Sequence, residues 1–193
     1  GMIASFCFKE GEVKLTNRFV RTEGWVKEEK DGKYLYRGVF GSQKEGGVIA
    51  NAFDLRLKNI ANTHVIRLGN ELLALWEAAS PYALDPITLE TKGISNLNGA
   101  LKSEEAFSAH PRFDPGHHGD TRMVTFGVST GPSSTIRLME FSSRSKDACE
   151  LINERRDNFK GFSFLHDFVI TPNWAIFLQN DINFNPIPFL LGQ

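Results

Sequence analysis

Short apolar runs of strand length, each followed by turn residues, recur along the whole chain. "MIASFCF" and "VKLTNRFV" flank Lys9-Glu10-Gly11-Glu12, "WVKEE" and "KYLYRGVF" flank Lys30-Asp31-Gly32, and "THVIRL" and "ELLALWE" flank Gly69-Asn70. Further on, "PYAL" and "LETKG" flank Asp85-Pro86, "MVTFGVS" and "TIRLMEF" flank Thr130-Gly131-Pro132-Ser133, and "FVIT" and "WAIFL" flank Pro172-Asn173. Glycine and asparagine suit tight hairpin turns, so the pattern predicts six hairpin-like units. "RTEGWVKEEKDGK" reads as a charged, exposed hairpin. No stretch carries a sustained helical stripe. The one helix candidate is "SKDACELINERRD", residues 145–157, where polar residues interrupt the stripe and strand or irregular structure fits equally well. Many short strands at regular spacing predict an all-β fold: sandwich, barrel or propeller. The length predicts a single domain over residues 1–193.

Charge and composition narrow the function classes. A formal net charge of −1 gives no bulk electrostatic case for nucleic acid as a partner. No run approaches the roughly 18 apolar residues of a membrane span. Cys7 and Cys149 form no CxxC pair, and the N-terminal run lacks a basic flank, so a reduced, cytoplasmic setting is expected. Sixteen phenylalanines are many for this length. Most belong in a core, and the excess is available to line an apolar ligand path.

Five histidines could carry chemistry: His64, His110, His117, His118 and His166. Imidazole suits iron, zinc and copper, but the spacing matches no local metal motif. His117 and His118 sit on a Gly/Asp-rich turn and are expected to be solvated. His110 lies between a short apolar run and that turn. His166-Asp167 is a polar pair inside an apolar run, and something must satisfy it; structural and functional readings fit it equally. Glu77 closes "ELLALWE", either as a surface cap or as a buried carboxylate that needs a donor. The N–H of a metal-bound histidine is such a donor. Neither a serine nucleophile elbow, a phosphate-binding loop nor a Cys-His pair is present.

A run of segments resembles the carotenoid cleavage oxygenases, and above all their apocarotenoid-cleaving branch. In order these are "NRFVRTEGWVKE", "YRGVFG", "KNIANTHVIRLGNELLALWEAASPYALDPITLETKG", "FSAHPRFDP", "VTFGVSTG", "FSFLHDFVITPNWAIFLQN" and "FNPIPFLLG". The resemblance implies a seven-bladed β-propeller with Fe(II) held by four histidines. It places iron ligands at His110 in "SAHP" and His166 in "HDF". It makes Glu77 of "ALWE" an outer carboxylate, with His166 as its partner, and sets Thr63 of "ANTH" near the open coordination position. It gives His64 no role. Phe40, Trp76 and Phe164 would line the tunnel for a lipophilic polyene. The Pro186–Leu191 region would make peripheral contact with a membrane. The implied reaction is a dioxygenase one, adding O2 across a conjugated C=C to release two carbonyl fragments.

Family members are much longer, and their third and fourth ligand histidines lie in the C-terminal half that this chain does not match. The expected fold is therefore a partial propeller of about three to four blades, either completed by self-association, as in a homodimer, or repacked into a barrel-like form. Three readings fit the residues: an Fe(II)-dependent oxygenase, a catalytically inactive binder of retinoids or apocarotenoids with iron weak or absent, and a remnant without a site.

Overall fold

The computed structural model describes residues 1–38, 43–52, 54, 57–102, 105–115, 121–130, 133–142, 150–179, 187–188 and 191. Phe40, His117, His118, Cys149 and Pro186 lie outside the described residues. The chain divides into two compact units, Gly1–Val20 with Ala61–Ile182, and Arg21–Ile60 with Asn183–Gln193.

The first unit is all β. Hairpin β1 (Met2–Lys9) and β2 (Glu12–Phe19) turns at Glu10-Gly11, where both residues take positive φ, 52° and 83°. That is what a two-residue turn compatible with strand twist requires. Next come β3 (His64–Leu68), β4 (Glu71–Leu75), β5 (Tyr82–Leu84) and β6 (Thr91–Ile94), forming a sheet in that order. A second four-stranded sheet holds β7 (Arg112–Asp114), β8 (Arg122–Ser129), β9 (Ser133–Ser142) and β10 (Glu150–Lys160), again with sequence neighbours side by side. β11 (Phe168–Ile170) and β12 (Ala175–Phe177) make the last hairpin. Within these sheets neighbouring strands pair antiparallel. Five of the six expected hairpins thus form where the turn residues place them. The described part of the 145–157 helix candidate is strand β10.

Apolar layers join the sheets face to face. Val20, Ala61, Ala74, Tyr82 and Leu84, with Ile3, cover one face of the β3–β6 sheet. Ile66, Leu68, Leu73, Leu75, Met123, Met139 and Phe141 fill the space between the two four-stranded sheets, with Phe107 and Ala109 from the connection. Val124, Phe126, Ile136, Leu165 and Phe168 form the third layer, against β11 and β12. Sheets stacked in chain order, face against face, are propeller blades. The arc is open, and no barrel closure is present among the described residues.

The second unit corrects one expectation. "RTEGWVKEEKDGK" is not a hairpin but carries helix α1 (Glu23–Asp31). Its terminal groups explain why. The Thr22 side chain accepts from Trp25 N at 3.2 Å, and Gly32 takes a left-handed φ of 66° and donates its N–H to Glu28 O. Glu23 and Lys30 complement the helix dipole at either end. Leu35 N donates to the Glu28 carboxylate, which also pairs with Lys58, so α1 is tied to the chain that follows it. "KYLYRGVF" forms no strand among its described residues, only an isolated bridge between Arg37 and Leu57. Helix α2 (Gly47–Asn51) completes the described elements of this unit. Among the described residues, no helix is long and apolar enough to cross a membrane.

Candidate metal centre

Three segments of the first unit deliver the candidate residues. The β3–β4 ladder runs one step past its strands, with Thr63 N donating to Leu75 O at 3.0 Å. Thr63 Oγ1 then lies 3.4 Å from Glu77 Oε2 and 3.3 Å from Asn62 Oδ1. Trp76, just before Glu77, is buried.

The second segment crosses β8 closely. Ser108 N donates to Phe126 O at 2.6 Å. A Cβ on Gly127 would lie 2.1 Å from Ala106 O, so this crossing requires bare backbone at that position. Ser108 Oγ then accepts from His110 N at 3.0 Å, fixing the turn that presents the ring.

The third segment is pinned from below. The Phe168 ring stacks on Phe177 at 5.2 Å and meets Phe126 edge-on at 5.1 Å. His166 stands two residues before that anchor. Asp167, between them, accepts from Arg112 and from Phe168 N. Arg112 therefore satisfies the Asp167 half of the polar pair.

The segments converge. His110 Nε2 and His166 Nε2 lie 3.2 Å apart, with ring centroids 4.6 Å apart. On its far side, His166 Nδ1 lies 2.7 Å from Glu77 Oε1. Potential ligand atoms of Glu77, His110 and His166 all fall within 4.8 Å of one another. A carboxylate only accepts, so the proton of a neutral His166 resides on Nδ1 and its Nε2 keeps a lone pair facing His110. Two such lone pairs repel at this distance unless a proton or a cation lies between them. Two nitrogens bound at right angles to one ion, with bonds of about 2.1 Å, are themselves about 3 Å apart. The donor set and its spacing fit a metal ion.

Electrostatics favour the neutral ligand form of His110. Burial is the largest cause and lowers its pKa from the ordinary histidine value. The Asp167 carboxylate opposes this, His166 adds to it, Glu77 opposes it and His64 adds to it. A metal needs the unprotonated imidazole, and this environment supplies it.

The other expected residues fall around this cluster unevenly. Phe164 is half-exposed and lies parallel to the His166 ring at 6.3 Å. His64, given no role by sequence, places Nδ1 2.8 Å from Ala109 O and stacks on His110 at 5.9 Å. It contacts the backbone immediately before His110 without joining the convergent set. Arg112 was also missed. The only sequence signal for it was the need of Asp167 for a cationic partner, and nothing local says which cation answers.

The sequence profile of the retinal pigment epithelial membrane protein family matches residues 1–189. Apocarotenoid-15,15'-oxygenase of Synechocystis is 46% identical over 196 residues, covering 100% of this chain and 39% of the relative. Resveratrol cleavage oxygenase 1 of Aspergillus fumigatus is 34% identical, covering 92% and 33%. Among solved structures, cobalt-substituted Synechocystis apocarotenoid oxygenase superposes with a TM-score of 0.92 at 46% identity, over 99% of this chain and 40% of that one. The chain thus spans between a third and two fifths of the length of these proteins, and its sheets are part of the propeller fold. With a profile match over nearly every residue and such likeness in sequence and backbone, the chain belongs to the retinal pigment epithelial membrane protein family of carotenoid cleavage oxygenases.

Proposed function

We propose that this chain contributes part of the catalytic centre of a non-haem Fe(II) oxygenase that cleaves a conjugated C=C of an apocarotenoid or similar polyene. The observation that carries this reading is the convergence of His110 Nε2 and His166 Nε2 at 3.2 Å, with Glu77 on the other nitrogen of His166. In this reading His110 and His166 hold the ion through Nε2. Glu77 keeps the His166 proton on Nδ1, fixes the ring and offsets part of the added positive charge. Thr63, whose Oγ1 lies 3.4 Å from Glu77 Oε2, would border the space beside the ion. Trp76 and Phe164 would line the apolar path and hold the polyene by burial and ring contact. Ferrous iron, when bound, supplies the one-electron chemistry that lets dioxygen react with a closed-shell alkene.

Two imidazoles are half the set that the resemblance implies. By the resemblance, two further histidines from outside the matched portion would complete it. A second copy of this chain is the alternative source: a metal-loaded dimer in a size measurement would support it, and a metal-free monomer would remove it. Ile187 and Leu191 are exposed, which supports nonpolar contact with a membrane at that end.

The test is anaerobic loading with Fe(II), metal analysis, and incubation with an apocarotenal in air. The parent is expected to take up iron, and His110→Ala and His166→Ala to lose it. Equal iron content in all three proteins would remove the reading.

A further inference from the structure

We propose that Arg112 is a positioning residue that sets the spacing of His110 and His166. β7 and β11 belong to different sheets and share no ladder. The two histidines stand just ahead of these strands, whose sheets meet through side-chain packing such as Phe126 on Phe168 and through polar side-chain bonds. One guanidinium bridges them with three bonds, two to the Asp167 carboxylate and one to the Phe168 carbonyl. Arg112 Nη2 donates to both Asp167 oxygens at 2.7 Å, and Nε donates to Phe168 O at 3.0 Å. Asp167 Oδ1 in turn accepts from Phe168 N at 2.7 Å, which locks the carboxylate to the same backbone.

Arg112 is two residues after His110, and Asp167 immediately follows His166. The clamp therefore spans the roots of both rings and leaves their Nε2 atoms unencumbered. Both partners are roughly half exposed, 40% and 45%, so the ion pair contributes little as a bare charge contact. Its worth is geometric. A planar guanidinium addresses a carboxylate and a carbonyl together in one fixed geometry, which a freely rotating ammonium does not impose. Ligand sets lose affinity when such outer supports loosen, by about tenfold to a hundredfold.

This inference rests on the metal-centre reading only for its consequence, and the test separates the two. Imidazole nitrogen resonances are recorded on the full metal-free chain for the parent, Arg112→Met and Arg112→Lys, together with thermal unfolding. Co(II) uptake is then followed by visible absorption. Expected are shifted His110 and His166 nitrogen resonances in Arg112→Met with little change in melting midpoint. Co(II) binding should be about tenfold to a hundredfold weaker, with Arg112→Lys intermediate. Unmoved resonances in Arg112→Met would overturn the proposal. So would a fall in melting midpoint that fully accounts for the lost metal, since that marks a merely structural residue. If His110→Ala takes up Co(II) like the parent, the metal-centre reading fails, and the resonances alone decide the clamp.

Discussion

Hairpins β1–β2 and β8–β9 are built alike and treated in opposite ways. Both are long antiparallel ladders in continuous register. In β8–β9 each face is covered, by Met123, Met139 and Phe141 on one side and Val124, Phe126 and Ile136 on the other. In β1–β2 only Ile3 and the following Val20 join a core layer, while the opposite face shows Met2, Phe6, Phe8, Val13, Leu15 and Phe19 to solvent. These are cross-strand partners: Met2 with Phe19, Phe6 with Leu15, Phe8 with Val13. Ladder formation therefore does not guarantee burial; that depends on what stacks against the sheet. The candidate site belongs to the covered region, since its histidine segments lean on β8 and β11.

The comparison is sharpest at Phe141, which is 0% exposed. Phe141→Ala should cost about 3–5 kcal/mol in urea unfolding, because it opens a cavity between two sheets. Next is Gly127→Ala. The added methyl meets Ala106 O, and the strain should cost about 1–3 kcal/mol while displacing the segment that carries His110. A Gly127→Ala protein with unchanged stability and unchanged His110 resonances would contradict the close crossing.

A smaller effect is expected from acid. The Asp167 carboxyl lies below its ordinary value of 3.8: burial opposes this, but the Phe168 N–H and Arg112 outweigh it. A depressed carboxyl contributes stability that is complete above its unfolded value and is lost as pH falls through the folded one. Asp167→Asn should therefore flatten the loss of stability below about pH 4, measured by unfolding across pH, and should alter nothing in its slope near neutrality. The smallest effect belongs to Phe8, which is 76% exposed. Phe8→Ala should stay within about 0.5 kcal/mol of the parent. A cost approaching that of Phe141→Ala would break the comparison, since it would mean the β1–β2 face is covered in solution.

Sequence and structure agree best where structure is local. Turn chemistry fixes hairpin register, so Glu10-Gly11 and Gly69-Asn70 declared their ladders. Helix α1 was misread because "WVKEE" was weighed as a strand. The signals that decided it, Thr22 before Glu23 and Gly32 after Lys30, lie at the ends rather than in the run. Glu77, His110 and His166 stand out as polar residues at apolar runs, but only the family resemblance, not their spacing, assigns them to one centre. His64 and Arg112 went unread because their partners, Ala109 O and Asp167, meet them only once separate sheets have stacked.

Each four-stranded sheet pairs only strands adjacent in the chain. Closing such ladders carries little loop entropy, so each sheet can assemble as soon as its own segment is available. The histidine cluster needs both of these sheets and the β11–β12 hairpin, and so acquires its geometry last. In pulsed hydrogen exchange during refolding, the β8–β9 amides should gain protection before those at His110 and Phe168.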